Sequence, residues 1–191
     1  MKAYQTRFVP LIALLASACG GANDEPTLNH YGDETTESVD AVQASLSSHH
    51  AEVLGETDLG RMRSMEQRHK DDMGMHMGRM LDAQDSMELC GQHMSAAGHT
   101  DAVKPLHEAQ GAMGEAIDDA SAEVERHLLA MEDAPDVATA LTDEHQHQTA
   151  MDQLLDRMRT HDEHLAHAMQ AMQDDGISMM CPMNSHMHRQ H

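Results

Sequence analysis

Two stretches of this chain are versions of one another, displaced by 78 residues. Glu37, Asp40, Ala44, His49, Asp58, Glu66, His69, Met73, Arg79 and Met80 recur as Glu115, Asp118, Ala122, His127, Asp136, Glu144, His147, Met151, Arg157 and Met158. Between them Val39/Ile117, Leu46/Val124, Val53/Met131, Leu59/Val137 and Met77/Leu155 exchange one apolar side chain for another. These are 10 identities in the 44 positions from 37 to 80, and they fall at helical steps, so a duplicated helical unit explains them. A duplication restricts the fold severely, because each half must bury its apolar face against a relative of itself.

Each unit reads as a helical hairpin. Val39, Val42, Leu46, His49 and Val53 form a stripe at steps of three and four; Gly55 to Asp58 interrupts it, with Thr57 or Asp58 as the next cap. Leu59, Met62, Glu66, His69, Met73, Met77 and Met80 continue as a second stripe. The second unit repeats the pattern around a turn at Asp133 to Asp136. The expectation is an all-α chain: an up-down-up-down four-helix bundle over 36–175, built from repeats 37–90 and 115–168. Its helices are placed near 36–54, 58–90, 102–132 and 136–174, linked in the middle by Gly91 to Thr100 and ended by Gly176. The composition agrees. One Phe, two Tyr and no Trp argue against a β-sandwich or a base-stacking platform. With 33 acidic and 12 basic residues, the formal charge of -21 excludes a general nucleic-acid binder.

The chain opens with two cations, Lys2 and Arg7, then a short apolar run from Phe8 to Leu15. That run is too short to span a bilayer and reads as the core of a signal peptide, residues 1–18. Leu15-Ala16-Ser17-Ala18-Cys19 resembles the lipobox of bacterial lipoproteins, which implies cleavage before Cys19 and lipidation of its amino-terminal residue. The alternative is an ordinary signal peptide cleaved after Ala18. Either removes Lys2 and Arg7 and leaves a charge of -23. The lipobox implies a lipid-anchored envelope protein, by default on the outer membrane and facing the periplasm, which touches the membrane through its lipid alone. Residues 19–35 then read as a flexible tether and 176–191 as a tail rich in Met, His and Cys.

The stripes carry polar residues where apolar ones belong. His49, Glu66, His127 and Glu144 occupy core positions, and His69 and His147 lie one turn after each Glu. His49 precedes its hairpin turn by about as many residues as Glu66 follows it, and His127 and Glu144 repeat this, so all six fall in one layer. Buried and unpaired, such charges cost several kcal/mol (about 3–5 each). Either a metal ion compensates them, or Glu and His pair in a metal-free layer. Glu-x-x-His on two helices, with one inward ligand from each of the others, resembles the ferritin-like di-metal carboxylate bundles. In that family the other two helices supply Glu. Here His49 and His127 stand there, a donor set that suits copper or zinc at least as well as iron or manganese.

The chain also holds 19 Met and 17 His, an excess of soft and borderline ligands. The repeat assigns Met73, Met77 and Met80 to the core, leaving Met75 and His76 as secondary candidates for a soft metal. Cys181, Met183, His186, Met187 and His188 in the tail are further candidates; Cys181-Pro182-Met183 is similar to the core of short heavy-metal-binding segments of efflux proteins. Cys90 and Cys181 are expected at one end of the bundle, where an oxidising compartment favours a disulfide and thiolate ligation is the rival. The function expected is binding, buffering or sequestration of a transition metal, copper favoured, at the envelope. A di-metal oxidase and a metal-free scaffold are the alternatives.

Overall fold

The computed structural model describes residues 27–181. The expected signal peptide, Cys19, residues 20–26 of the expected tether and the tail ligands Met183, His186, Met187 and His188 lie outside the described residues. Four helices account for nearly all the rest: α1, Leu28–Leu54; α2, Leu59–Met94; α3, Thr100–Asp133; and α4, Val137–Asp174. Among the described residues there is no strand, only one isolated bridge between Thr27 and Met180. No helix among them is long and apolar enough to cross a membrane.

The helix ends follow local chemistry. Thr27, Asp58 and Asp136 cap α1, α2 and α4, each accepting from the backbone N–H three residues on. Gly176, at φ 72°, lets the chain leave α4. Arg63 of α2 donates to the carbonyls of Met131 and Ala134, at 3.1 and 2.8 Å, and so satisfies groups that the end of α3 leaves free.

Two expected boundaries are corrected. Residues 28–35 belong to α1 rather than to the tether. Leu28, Gly32 and Thr35 extend the stripe of Val39, Val42 and Leu46, and all are buried. Gly32 and Thr35 carry little hydrophobic signal, yet both are buried, and the flexible end of Met169 lies where a Cβ on Gly32 would stand. The expected link at 91–100 is also shorter. α2 runs on to Met94 and the chain kinks within Ser95–His99, where Gly98 leaves helical geometry at φ 102°.

α1 packs on α2 and α4, and α3 packs on the same two helices, so the four enclose one core. That core is divided. A large apolar cluster includes Leu46, Met73, Val124 and Met151; a smaller one, near the α1–α2 and α3–α4 turns, holds Val53, Met62, Met131 and Ala140. Between them, on every helix, stands a histidine or a glutamate. Near the opposite end the Cys90 and Cys181 sulfurs are bonded at 2.02 Å, so neither offers a thiolate to a metal.

Candidate metal centre

The polar layer takes its position from the stripes. Leu46–His49–Val53 and Val124–His127–Met131 advance by three and four residues, which places each His between two buried apolar neighbours. Met62–Glu66–His69–Met73 and Ala140–Glu144–His147–Met151 do the same for each Glu-x-x-His. All six side chains are buried, the most exposed being His49 at 7%. The repeat is visible in the geometry. His49 stacks on His69 and His127 on His147, each pair with ring centroids 4.0 Å apart and nearly parallel. His69 and His147 meet edge to face, Nε2 to Nε2 at 3.4 Å.

At the centre four residues face one another, and one ligand atom from each lies within 4.8 Å of all the others. His49 Nε2 is 3.1 Å from Glu66 Oε1 and 3.5 Å from Glu144 Oε2. His127 Nε2 is 2.9 Å from Glu66 Oε2 and 3.1 Å from Glu144 Oε2. Despite these separations, His49 Nε2, His127 Nε2, Glu66 Oε1 and Glu144 Oε2 make no well-aligned hydrogen bond. Two donors of one ion at about 2.0–2.2 Å lie roughly 2.9–3.6 Å apart, a range that these four His–carboxylate spacings share with direct ion pairs.

The electrostatics divide the histidines into two kinds. Burial alone would lower the pKa of His49, but the Glu144 and Glu66 carboxylates outweigh it and raise the value to about 9. The same contest raises His127 to about 10. Burial works against ionisation of Glu66, yet His127 and His49 hold its pKa down at about 2, and Glu144 is lowered for the same reason. His69 and His147 go the other way: burial, reinforced by the neighbouring imidazoles, lowers them to about 3 and about 4. These opposite shifts favour the charged imidazolium form at His49 and His127, facing the two carboxylates, and the neutral form at His69 and His147.

Four residues that sequence reasoning missed support the layer. Asp143 Oδ2 lies 2.7 Å from His127 Nδ1, and Glu123 Oε1 lies 3.0 Å from His147 Nδ1. Arg126 donates to both carboxylates, to Glu123 at 2.7 and 2.8 Å and to Asp143 at 2.8 Å. Carboxylates behind ligating histidines fix the ring and its tautomer. His50 Nδ1 lies 2.7 Å from Glu144 Oε1, the oxygen turned away from the centre. The repeat hid these residues, because their counterparts are Met65, Ser45, Ser48 and Leu128.

The secondary candidates do not join the layer. Met73, Met77 and Met80 are buried in the core, whereas Met75 is 48% exposed. His76 lines a surface groove between α1 and α2.

No protein-family model, curated protein or solved structure matches this chain.

Proposed function

We propose that this protein binds a divalent transition-metal ion in the His/Glu layer of an up-down-up-down four-helix bundle, and that it buffers or sequesters that ion at the cell envelope. One observation carries the reading. Each helix contributes one donor to a cluster of four buried ligand atoms that lie within 4.8 Å of one another. His49, Glu66, His127 and Glu144 would hold the ion, with His69 and His147 flanking it. Charge supports a single ion, since the two carboxylates neutralise one divalent cation and leave a second uncompensated in a low-dielectric interior. Two imidazoles and two carboxylates favour Cu(II), which heads the affinity order at such sites, with Zn(II) next to it. The envelope location rests on the lipobox-like segment ending at Cys19.

A second reading has one observation in its favour. Glu66 turns Oε1 to His49 and Oε2 to His127, the posture of a carboxylate that bridges two ions. Two bound iron or manganese ions, with His69 and His147 as further ligands, would make the layer a di-metal oxidase centre.

Thermal unfolding of the wild type and of Glu66→Gln/Glu144→Gln, with chelator and with excess Cu(II), Zn(II) or Fe(II), tests the reading. A metal held in the layer stabilises the wild type far more than the variant, because binding to the folded state alone contributes RT ln(1 + [L]/Kd). Equal stabilisation of both places the metal elsewhere; no stabilisation of either leaves a metal-free scaffold. Metal analysis then separates one ion per chain from two.

A further inference from the structure

The repeat supplies an internal control for how the layer is enclosed. In the second half, Glu123 and Asp143 cover the outer nitrogens of His147 and His127, and Arg126 clamps both carboxylates. In the first half, the positions of Glu123, Arg126 and Asp143 are held by Ser45, Ser48 and Met65. His69 Nε2 faces His147, so Nδ1 is turned the other way, as the Nδ1 of His147 is turned to Glu123. His69 is 3% exposed, and its Nδ1 is buried without any partner. This side chain, together with His49, lines a groove of about 460 Å³ between α1 and α2. Ser45, Ser48, Glu52, Asp72 and His76 form part of its wall, together with Arg68, whose guanidinium donates to the Ser64 carbonyl at 3.2 Å. On α2, His69, Asp72 and His76 follow one another at steps of three and four, along one face.

From this we infer that the α1–α2 groove is the port by which a divalent cation reaches the layer, with Asp72, His76 and Glu52 as its docking groups and His69 as the inner relay. The inference rests on the layer being the metal site. Glu52, Asp72 and His76 supply oxygen and nitrogen donors that can receive a partly hydrated cation in succession. The matching groove of the other half, about 450 Å³, has Glu123 and Arg126 in its lining and neither His127 nor His147, whereas past Ser45 and Ser48 the α1–α2 groove reaches His49 and His69. The α3–α4 half is accordingly the fixed half of the site, its histidines pre-oriented, and the α1–α2 half admits the ion.

The test is the rate of Co(II) uptake by the metal-free protein, read by stopped-flow from the visible bands of bound Co(II). The amplitude at equilibrium is recorded as well. Glu66→Gln/Glu144→Gln identifies the layer signal by its loss. Ser45→Glu gives the first half the carboxylate that the second half has at Glu123. It should pair with His69 Nδ1, preserve the amplitude and slow uptake roughly tenfold or more. Asp72→Asn/His76→Ala removes the docking groups and should slow uptake by roughly tenfold, the lower end of what a focused charge contributes to an association rate. It acts at the surface and keeps the experiment decisive if Ser45→Glu fails to fold. Ala150→Asp, the matching position on the α3–α4 face, should leave the rate unchanged. Wild-type rates and amplitudes in both first-half variants would overturn the port and leave the layer standing. A full Co(II) signal in Glu66→Gln/Glu144→Gln would overturn the layer, and the port with it.

Discussion

His49 and His127 differ from His69 and His147 only by which neighbours burial has left them. The first pair faces two carboxylates and its pKa is raised; that of the second is lowered by burial and the adjacent imidazoles, which outweigh even the Glu123 carboxylate beside His147. The metal-free protein's stability should therefore peak near pH 6.5. Between about 6.5 and 9–10 the folded state binds more protons than the unfolded chain at His49 and His127, so their contribution is full below 6.5 and lost as pH rises. Between 6.5 and about 4 the unfolded chain protonates at His69 and His147 while the folded state does not, so stability falls with acid there. Below 4.5 the lowered Glu66 and Glu144 add a further acid loss. The alkaline slope is at most about 1.4 kcal/mol per pH unit for each imidazole. Denaturant unfolding in the presence of chelator, from pH 4 to 10, checks this; a flat profile from 6.5 to 9 would show that the two histidines are not held as imidazolium. Asp143→Asn isolates the support behind the ligands. It leaves all four central residues in place but weakens the acceptor on His127 Nδ1 at 2.7 Å. Metal affinity in a competition titration should drop by about 10–100-fold, the usual effect of losing such a partner.

At the scale of the helices, the capping and turn chemistry was legible: Asp58, Asp136 and Gly176 act where local rules place them. The start of α1 was not, because Gly32 and Thr35 read as loop residues until Met169 is seen lying against Gly32. Leu28 is the anchor of that extra segment and is fully buried. Leu28→Ala should cost about 2–5 kcal/mol in denaturant unfolding, the range for a core leucine; a change under 0.5 kcal/mol would return residues 28–35 to the tether. Gly74 behaves oppositely. It sits exposed within α2 with nothing within 4 Å of a Cβ, so Gly74→Ala should stabilise the protein by about 0.5–1 kcal/mol, read as a rise in Tm.

For the molecule as a whole, the Cys90–Cys181 bond joins the end of α2 to the chain beyond α4 across 91 residues. Reducing it should lower stability by about 2–5 kcal/mol, and thiol titration of the unfolded, unreduced domain lacking Cys19 should find almost no free thiol. The sequence by itself determined the helical class, the matching positions 78 residues apart and the identity of the six layer residues. Those follow from local spacing: a helix repeats every 3.6 residues, so a polar residue on an apolar stripe announces its own burial. It did not determine which donors meet. His49 and Glu66 share a hairpin, but Glu66 also reaches His127, and Glu144 also reaches His49, across helices far apart in the chain. Nor could it separate the closed half of the layer from the open one. Glu123 lies on α3 and serves His147 of α4; Arg126 acts by holding two carboxylates together; His50 reaches Glu144 from the neighbouring α1. Periodicity reports the face on which a side chain lies. Only packing of the four helices decides what stands across from it, and the charge and protonation of this centre depend on that.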